Sequence, residues 1–482
     1  MSAVVTIDAG RTDGILDPKI YGHFIEHLGR CIHGGIRVGK DSPIPNLNGF
    51  RRDVLETVKQ IEPPIVRWPG GNFASGYHWE DGVGPRDQRP RRFDLAWQVE
   101  ESNAFGTDEF MEWCRLVGTK PYICVNAGSG SAEEAARWVE YCNSGGKTYH
   151  AEFRARNGSF QPYGVKYWGL GNELYGDWQI GHCWDGREYA KRAYEFAKLM
   201  KRVDPSIKLV AVGSDNDDWN YDVVKYAGQW FDYLSIHFYA SQRSYPDLMA
   251  TPILYERTLK RVYDTVQKAK ADGKKINAIR LAVDEWNVWY PEAQPPWLEQ
   301  VTGLAEGLFS ALMFNVFHRL SNIVTLACFA QLVNVLPLIH TRDDGSMYVN
   351  PQYLAYLLYV PRTGERVIPC SVETKTYESK MLNLENVPYV DATATMSKDG
   401  RVLYLHLVNR SPDEAFECET SVSGFTPSAS AATILWGDSI VSKNYFDKPV
   451  EVKLIKQDLK DTGSSLTFEL PAHTACVIEL KT

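Results

Sequence analysis

Apolar segments of strand length alternate with helical patterns over residues 20–330, and this alternation constrains the fold more than any other feature. The predicted strands are 20–25, 65–68, 121–126, 165–170, 208–212, 233–239, 280–284 and 323–330. The predicted helices are 53–61, 107–117, 131–143, 185–203, 258–270 and 302–320. Strands that alternate with helices form parallel sheets, because each helix returns the chain to the same end of the sheet. Eight such strands predict a closed (β/α)8 TIM barrel, of the α/β class, rather than an open sheet.

The sequence pattern changes after Pro361. Short runs rich in Val, Thr, Tyr and Leu, with Gly, Pro, Asn and Asp between them, replace the helical periodicity. This texture is typical of an all-β sandwich, here expected to be jelly-roll-like. The strand-like segment 3–7 has no partner in a barrel and is expected to join that sandwich. We therefore predict that 1–18 join the β-sandwich, that 19–362 form the catalytic barrel and that 363–482 form the C-terminal sandwich.

Composition and charge exclude several classes of partner. A net charge of −8, from 52 basic and 60 acidic side chains, argues against nucleic acid as a partner. No run of 18 apolar residues exists and the first residues do not resemble a signal peptide, so we expect a cytoplasmic protein without a membrane partner. The nine cysteines show no C-x-x-C spacing and are interpreted as reduced and buried.

Two glutamates follow apolar strands, and together they indicate chemistry. Glu173 ends the run from Val165 in the pair Asn172-Glu173, and Glu285 ends the run from Ile279. A single glutamate at a strand end is more often a cap or a salt-bridge partner. Two on predicted strands four and seven face the same mouth of a barrel, where barrel enzymes keep their active sites. A separation of roughly 5–5.5 Å between two carboxyl groups is the arrangement of retaining glycosidases, and the charge on Glu285 is expected to raise the pKa of Glu173.

Polar residues at other predicted strand ends support this interpretation, although each has a structural alternative. Asn172 could bond a sugar hydroxyl or simply form a turn, and Tyr239 could bond the nucleophile or pack in the core. His237 accompanies Tyr239 on the sixth strand. Arg67 could hold a carboxylate in the mouth or form a structural salt bridge. Gln331 is polar within an apolar run and calls for a partner.

Glu26 belongs to His23-Phe-Ile-Glu26-His27, which matches the H-x-x-E-H pattern of zinc proteases. The surrounding pattern suits a strand end rather than a helix and no third ligand is evident, so we expect no metal and no cofactor. A carboxylate at the end of the first strand could instead bond sugar hydroxyls. Five tryptophans are candidates for cavity walls, although each alone is more often a core residue: Trp97, Trp178, Trp286, Trp289 and Trp297.

Six blocks of the chain resemble glycoside hydrolase family 51. They are Gly22-His-Phe-Ile-Glu26-His, Arg67-Trp-Pro-Gly-Gly-Asn72-Phe, Trp168-Gly-Leu-Gly-Asn172-Glu173, His237-Phe-Tyr239, Asp284-Glu285-Trp-Asn287 and Ala330-Gln331-Leu-Val-Asn334. The resemblance implies an exo-acting, retaining α-L-arabinofuranosidase that releases terminal non-reducing residues from arabinose-containing oligosaccharides. It implies Glu173 as acid/base and Glu285 as nucleophile. It also implies a homo-oligomer, often a hexamer, and sugar-binding roles for Glu26, Asn72, Asn172, Tyr239 and Gln331.

Two other functions stay open at this stage. A β-xylosidase or an endo-β-glucanase could use the same scaffold, because the segments 86–103 and 290–300 that shape the leaving-group side match no pattern. A non-catalytic carbohydrate-binding protein is the third possibility. The presence of both glutamates disfavours it, since binding alone does not need an acid and a nucleophile side by side.

Overall fold

The computed structural model describes residues 1–273, 275–459 and 463–482. Its centre is a closed barrel of eight parallel strands that follow one another around the ring in chain order. These barrel strands, one to eight, are Gly22–Phe24, Ile65–Trp68, Lys120–Cys124, Tyr167–Gly169, Lys208–Val212, Tyr233–Ala240, Arg280–Val288 and Val324–Ala330. The predicted TIM barrel is confirmed; Glu173 follows strand four and Glu285 lies on strand seven.

Nine α-helices are present in the described part of the chain: Arg52–Gln60, Thr107–Val117, Ala132–Asn143, Tyr149–Arg156, Gly186–Val203, Asp217–Ala227, Tyr245–Asp272, Leu304–Arg319 and Pro351–Tyr359. Three of them were not predicted. One, Asp217–Ala227, has a clear start signal, because the Asn216 side chain accepts hydrogen bonds from the amides of Asp218 and Trp219. The helix Tyr245–Asp272 begins well before the predicted 258 and contains Pro252, which in a sequence normally marks a helix boundary.

The barrel core follows from the alternation of side chains along each strand. Ile65 points into the barrel, where it packs with Phe24, Tyr122 and Leu326. Its neighbour Val66 points outward into the large core between the barrel and the helices. The strands therefore bury both faces, which explains why they are continuous apolar runs in the sequence.

Two sheets pack face to face beside the barrel, an antiparallel sheet of seven strands and a mixed sheet of four. The seven-stranded sheet has the order Gly14–Ile15, Arg366–Ile368, Val390–Met396, Val402–Asn409, Ala475–Lys481, Ala429–Trp436 and Lys453–Asp458. The four-stranded sheet has the order Cys370–Thr374, Ser2–Asp8, Phe416–Ser423 and Ser465–Leu470. The N-terminal strand is thus internal to its sheet, antiparallel to one neighbour and parallel to the other.

A buried ionic network joins the barrel to the sandwich. Asp391 on a sandwich strand accepts hydrogen bonds from Asn315 at 2.7 Å and Arg319 at 3.0 Å, both on a barrel helix. Arg410 donates to Asp391 at 2.8 Å and to the carbonyl of Met249 at 3.1 Å. Burial alone would raise the pKa of Asp391, but the two arginines outweigh it and lower this pKa to about 2. Across the described residues, every helix is too short or too polar to cross a membrane.

Candidate active site

A cavity of about 560 Å³ opens at the carboxyl ends of the barrel strands. Its lining includes seven predicted site residues: Glu26, Asn72, Glu173, His237, Tyr239, Glu285 and Gln331. Two further predicted residues, Arg67 and Asn172, lie in the floor, where Arg67 donates to Asn172 Oδ1 at 2.7 Å. The barrel thus brings together residues that are up to about three hundred positions apart in the chain, as parallel strands of a closed ring must.

A sharp turn after barrel strand four presents Glu173 to the cavity. The strand ends at Gly169, and Gly171 then adopts a φ of 90°. A Cβ at position 171 would lie 2.8 Å from Ala127 Cβ, so both the conformation and the space require glycine there. Glu173 itself has a φ of 45°. The turn therefore directs its carboxylate back over the strand end.

Glu285 lies inside barrel strand seven rather than at its end. The predicted strand stopped at 284, but the structure extends it to Val288, since strand six also continues to Ala240. His237 pairs with Glu285 across these two longer strands, after a register shift between Ser235 and His237. The extension carries both side chains above the ring and into the cavity.

The two carboxylates are close neighbours with a histidine between them. One oxygen of Glu173, one oxygen of Glu285 and one ring nitrogen of His237 all lie within 4.8 Å of one another. His237 Nδ1 is 2.8 Å from Glu173 Oε1 and 3.6 Å from Glu285 Oε2. Separations of about 5 Å belong to retaining glycosidases, whereas inverting enzymes leave roughly 6.5–9.5 Å for a water molecule.

Fixed donors hold the Glu285 carboxylate. Arg67 Nη1 donates to Glu285 Oε1 at 2.7 Å, and Tyr239 donates its hydroxyl to Oε2 at 2.8 Å. Arg67 is fully buried, so its bond to the carboxylate is not screened by water. A Cβ on Gly71 would lie 2.8 Å from Glu285 Oε1, which explains the need for glycine in this block.

His237 sits among three carboxylates, and they control its charge. Its Nε2 faces Asp284 Oδ1 at 3.4 Å, a distance that suits an ionic contact better than a well-aligned hydrogen bond. Burial alone would lower the pKa of His237, but Glu285, Asp284 and Glu173 together raise it to about 10. Asp284 is itself held by Tyr122, which donates its hydroxyl at 2.7 Å. His237 is therefore an imidazolium in the free protein at neutral pH.

This charge reverses one expectation from the sequence. The charge on Glu285 was expected to raise the pKa of Glu173, and burial of Glu173 does act in that direction. The hydrogen bond and the positive charge of His237 outweigh burial, and the pKa of Glu173 lies below its usual value. The expectation considered the two glutamates alone and so missed the cation between them. Asp284 was also missed as a site residue, although its place beside Glu285 in a buried strand was a usable signal.

Glu26 is the centre of a second hydrogen-bond cluster. Its Oε1 accepts from the amides of Gly71 and Phe73 and from the Trp97 indole, each at 3.1 Å. Its Oε2 accepts from Gln331 Nε2 at 2.9 Å, which supplies the partner that this polar residue called for. Burial first, and then the charge of Glu285, raise the pKa of Glu26 to about 8.

Aromatic residues form the walls, but not all of the predicted ones. Trp97, Trp178 and Trp289 line the cavity, and Trp178 also donates to Glu173 Oε2 at 3.3 Å. The prediction of Trp286 as a wall is wrong, because it is fully buried behind strand seven and packs on four phenylalanines. Trp297 does not line the cavity either.

The H-x-x-E-H pattern does not form a metal-ligand set. His27 Nε2 accepts from the Trp68 indole at 3.1 Å, so the ring proton is on Nδ1, which donates to Glu101 at 3.0 Å. Neither nitrogen of His27 then has a free lone pair for an ion. His23 is fully buried and packs on Tyr356, away from that cluster.

A (β/α)8 barrel with two carboxylates this close, on strands four and seven, defines a retaining glycoside hydrolase. Family models described as α-L-arabinofuranosidase 1 domain and α-L-arabinofuranosidase C-terminal domain match residues 57–258 and 284–474. The chain is 37% identical to a probable α-L-arabinofuranosidase C of Aspergillus clavatus, over 99% of this chain and 97% of that protein. It is 39% identical to the intracellular exo-α-(1→5)-L-arabinofuranosidase 1 of Bacillus subtilis, over 88% and 87% of the two chains.

Solved structures agree with this assignment. A crystal structure of α-L-arabinofuranosidase from Thermotoga maritima, in complex with arabinose, matches with a TM-score of 0.94 and 41% identity, over 100% of both chains. The GH51 arabinofuranosidase from Xanthomonas axonopodis pv. citri matches with a TM-score of 0.92 and 31% identity, again over 100% of both chains. The chain belongs to the α-L-arabinofuranosidases of glycoside hydrolase family 51.

Proposed function

We propose that the protein releases terminal non-reducing α-L-arabinofuranosyl residues from arabinose-containing oligosaccharides, with retention of configuration. The observation that carries this proposal is the pair Glu173 and Glu285, with oxygens within 4.8 Å in the barrel mouth of a family 51 chain. The exo-acting arabinofuranosidase of Bacillus subtilis, at 39% identity, supports arabinose-containing substrates over β-xylosides and β-glucans. A non-catalytic binding protein is disfavoured, because Arg67 and Tyr239 both donate to the Glu285 side chain and fix its orientation beside Glu173.

The first chemical step makes a covalent glycosyl-enzyme. An oxygen of the Glu285 carboxylate attacks the anomeric carbon, and the bond from that carbon to the leaving oxygen breaks. Glu173 gives its proton to the leaving oxygen, so that the aglycone departs as an alcohol. His237 Nδ1 carries a proton and is 2.8 Å from Glu173 Oε1. Transfer of this proton to Glu173 supplies the acid form that this step needs.

The second step returns both glutamates to their starting state. A water molecule attacks the anomeric carbon, the ester bond to Glu285 breaks, and Glu173 takes the water proton as a general base and passes it back to His237. Tyr239 and Arg67 stabilise the carboxylate that leaves, because both donate to its oxygens in the free protein. Each step inverts the anomeric carbon once, so the product has the configuration of the substrate.

The polar cluster around Glu26 is proposed to bind the terminal sugar. Glu26, Asn72 and Gln331 line the cavity and offer both donors and acceptors to ring hydroxyls. Asn172 is fixed by Arg67 and donates to Asn72 Oδ1 at 3.3 Å, so its amide is oriented beside the reacting carbon. A hydrogen bond to the neighbouring hydroxyl strengthens in the transition state.

Removal of each glutamate tests these assignments. Glu285→Ala should abolish turnover of nitrophenyl α-L-arabinofuranoside, and azide should restore it through a product of inverted configuration. Glu173→Ala should still form the glycosyl-enzyme from this activated substrate, and azide should speed its breakdown with a product of retained configuration. Glu134→Ala, a glutamate that bonds His78 outside the cavity, is the control and should match the wild type. The opposite pattern of products would exchange the two roles.

A substrate panel tests the specificity. Rates on nitrophenyl α-L-arabinofuranoside, nitrophenyl β-xyloside and a soluble β-glucan should rank the arabinoside first, and a preferred β-glucan would contradict the proposal. The intracellular relative from Bacillus subtilis supports a cytoplasmic enzyme that receives short fragments. The family resemblance supports a homo-oligomer, expected as a hexamer. Sedimentation analysis of the purified protein would measure its size, and a monomer would contradict this expectation.

A further inference from the structure

A second cavity of about 260 Å³ shares part of its wall with the catalytic cavity. Leu298 lines the catalytic cavity and the next residue, Glu299, lines the second one. The segment that contains these two consecutive residues therefore contributes to the walls of both cavities. The residues that matter for its chemistry are Arg30, His340, Arg342, Tyr348, Tyr445 and Phe446.

Two buried polar groups in this cavity have no partner in the described part of the chain. They are His340 Nε2 and the Tyr348 hydroxyl, and their residues are only 6% and 3% exposed. A buried donor or acceptor without a partner destabilises the folded protein. Burial, assisted by Arg30, lowers the pKa of His340 to about 3, so the imidazole is neutral and offers one donor and one acceptor. A ligand with hydroxyl groups would supply both missing hydrogen bonds.

Aromatic rings surround these polar groups. His340 stacks on Tyr348 with ring centroids 4.4 Å apart, and Phe446 meets Tyr348 edge-on at 4.7 Å. The Arg342 guanidinium lies 3.7 Å from the centre of the Phe446 ring. Tyr445 is 39% exposed and leaves part of its ring available at the cavity. Aromatic faces mixed with planar polar side chains suit a sugar, which has apolar C–H faces and hydroxyl edges.

The charges favour a neutral ligand over an anion. Arg30 is paired with Glu299 through two hydrogen bonds, at 2.8 and 3.2 Å. Arg342 has no ion-pair partner within the described ranges, but two aspartates, Asp343 and Asp344, follow it directly in the chain. The acidic groups therefore offset the two guanidinium groups, and no strong positive field is left to attract a phosphate or a carboxylate.

We propose that this second cavity is a remote saccharide subsite, which holds a neutral pentosyl unit of the leaving group while the terminal sugar occupies the catalytic cavity. The inference rests on the proposed function and extends it from the terminal residue to the rest of the oligosaccharide. It assigns Tyr348 and His340 as hydrogen-bonding groups and Tyr445 as a stacking surface. The substrate then forms hydrogen bonds with His340 Nε2 and the Tyr348 hydroxyl, the two atoms without a partner in the free protein.

Tyr348→Phe is the most informative change, because it removes only the unbonded hydroxyl. The variant should be at least as stable as the wild type, since a buried group without a partner is lost. Its kcat/KM for an α-1,5-linked arabino-oligosaccharide of five units should fall roughly five-fold, the equivalent of one neutral hydrogen bond. Its kcat/KM for nitrophenyl α-L-arabinofuranoside should not change, because this substrate carries no second sugar unit. Tyr445→Ala should show the same split.

Tyr245→Phe is the matched control. Its hydroxyl is also buried without a partner among the described residues, and Tyr245 lines neither cavity. It should resemble Tyr348→Phe in stability and the wild type on both substrates. The result that would overturn the subsite alone is an active wild type whose ratio of kcat/KM for the oligosaccharide to kcat/KM for the aryl substrate is the same in all variants. A wild type inactive on both substrates would overturn the proposed function as well. Inhibition by phosphate or galacturonate that Tyr348→Phe relieves would show an anion site and overturn the assignment to a neutral sugar.

Discussion

His237→Asn tests how the site stores the proton that glycoside cleavage requires. Asparagine retains an N–H donor near the position of Nδ1, which is 2.8 Å from Glu173, but it carries no charge. The three carboxylates raise the pKa of His237 from 6.5 to about 10. Burial opposes this rise, and each unit of pKa corresponds to about 1.4 kcal/mol, so the site as a whole favours the imidazolium by roughly 5 kcal/mol.

The direction in which the alkaline limb of the activity profile moves in His237→Asn depends on which side chain holds the proton. In the wild type, the proton shared by Glu173 and His237 should leave only near pH 10, so the alkaline limb of the activity profile lies far up the pH scale. In His237→Asn, Glu173 must hold the proton alone. Without the imidazolium, a carboxyl such as Glu173 loses its proton at lower pH than the coupled pair does. The alkaline limb should therefore move to lower pH.

The assay is kcat/KM for α-1,5-arabinobiose as a function of pH, because its leaving group needs a proton. The comparison is repeated in a Glu26→Gln background, which removes the titration of Glu26 itself. His78→Asn, a histidine outside the cavity that bonds Glu134, is the control and should keep the wild-type profile. An unchanged alkaline limb in His237→Asn would refute the shared proton.

The same variant makes a prediction for stability. The folded-state pKa of His237 is raised above its unfolded value, so its contribution is fully present below about pH 6.5 and is lost as the pH rises through about 10. The free energy of unfolding of the wild type, measured in urea, should therefore exceed that of His237→Asn most clearly below about pH 6.5. This difference should decline steadily between about pH 6.5 and 10.

Three further changes test the frame around the site. Gly106→Ala would place a Cβ 1.8 Å from the carbonyl oxygen of Gly82, so a urea titration should show a free energy of unfolding lower by at least about 3 kcal/mol. Gly146→Ala is the control and should be neutral in the same titration, because a Cβ there would have no atom within 4 Å. Arg410→Met leaves a buried carboxylate short of a partner, and it should cost roughly 3–5 kcal/mol in thermal unfolding while kcat on the aryl substrate stays unchanged. Deletion of residues 2–8 removes an internal strand from the four-stranded sheet, and size-exclusion chromatography should show aggregates instead of the folded protein.

Local patterns carried the prediction of the barrel. A strand buried on both faces must be apolar along its length, so segments such as 65–68 and 208–212 were predicted with the bounds that the structure shows. Helices were harder, because propensity is weak and tertiary packing overrides it. Asp217–Ala227 was not predicted, although Asn216 and the two aspartates that follow it are a start signal for a helix, and the first part of Tyr245–Asp272 contains Pro252, which normally marks a helix boundary.

The length of barrel strand seven determines the directions of two side chains, Glu285 and Trp286. Side chains alternate along a strand, so if Glu285 faces the cavity within a continuing strand, Trp286 must face the other way. The sequence prediction ended this strand at 284 and left the direction of Trp286 open. The end of the strand depends on pairing with strand six, which no local pattern of residues 280–288 encodes.

The sequence by itself determined the ring of eight strands, the two glutamates and most of the residues that surround them, because each depends on short-range patterns and on position at a strand end. Only the tertiary structure decided the charge state of the site. The pKa values of His237 and Glu173 depend on burial and on charges within a few ångströms, and those charges come from strands four, six and seven. Electrostatic energies vary with distance and solvent exposure, neither of which exists in a linear sequence until the barrel closes.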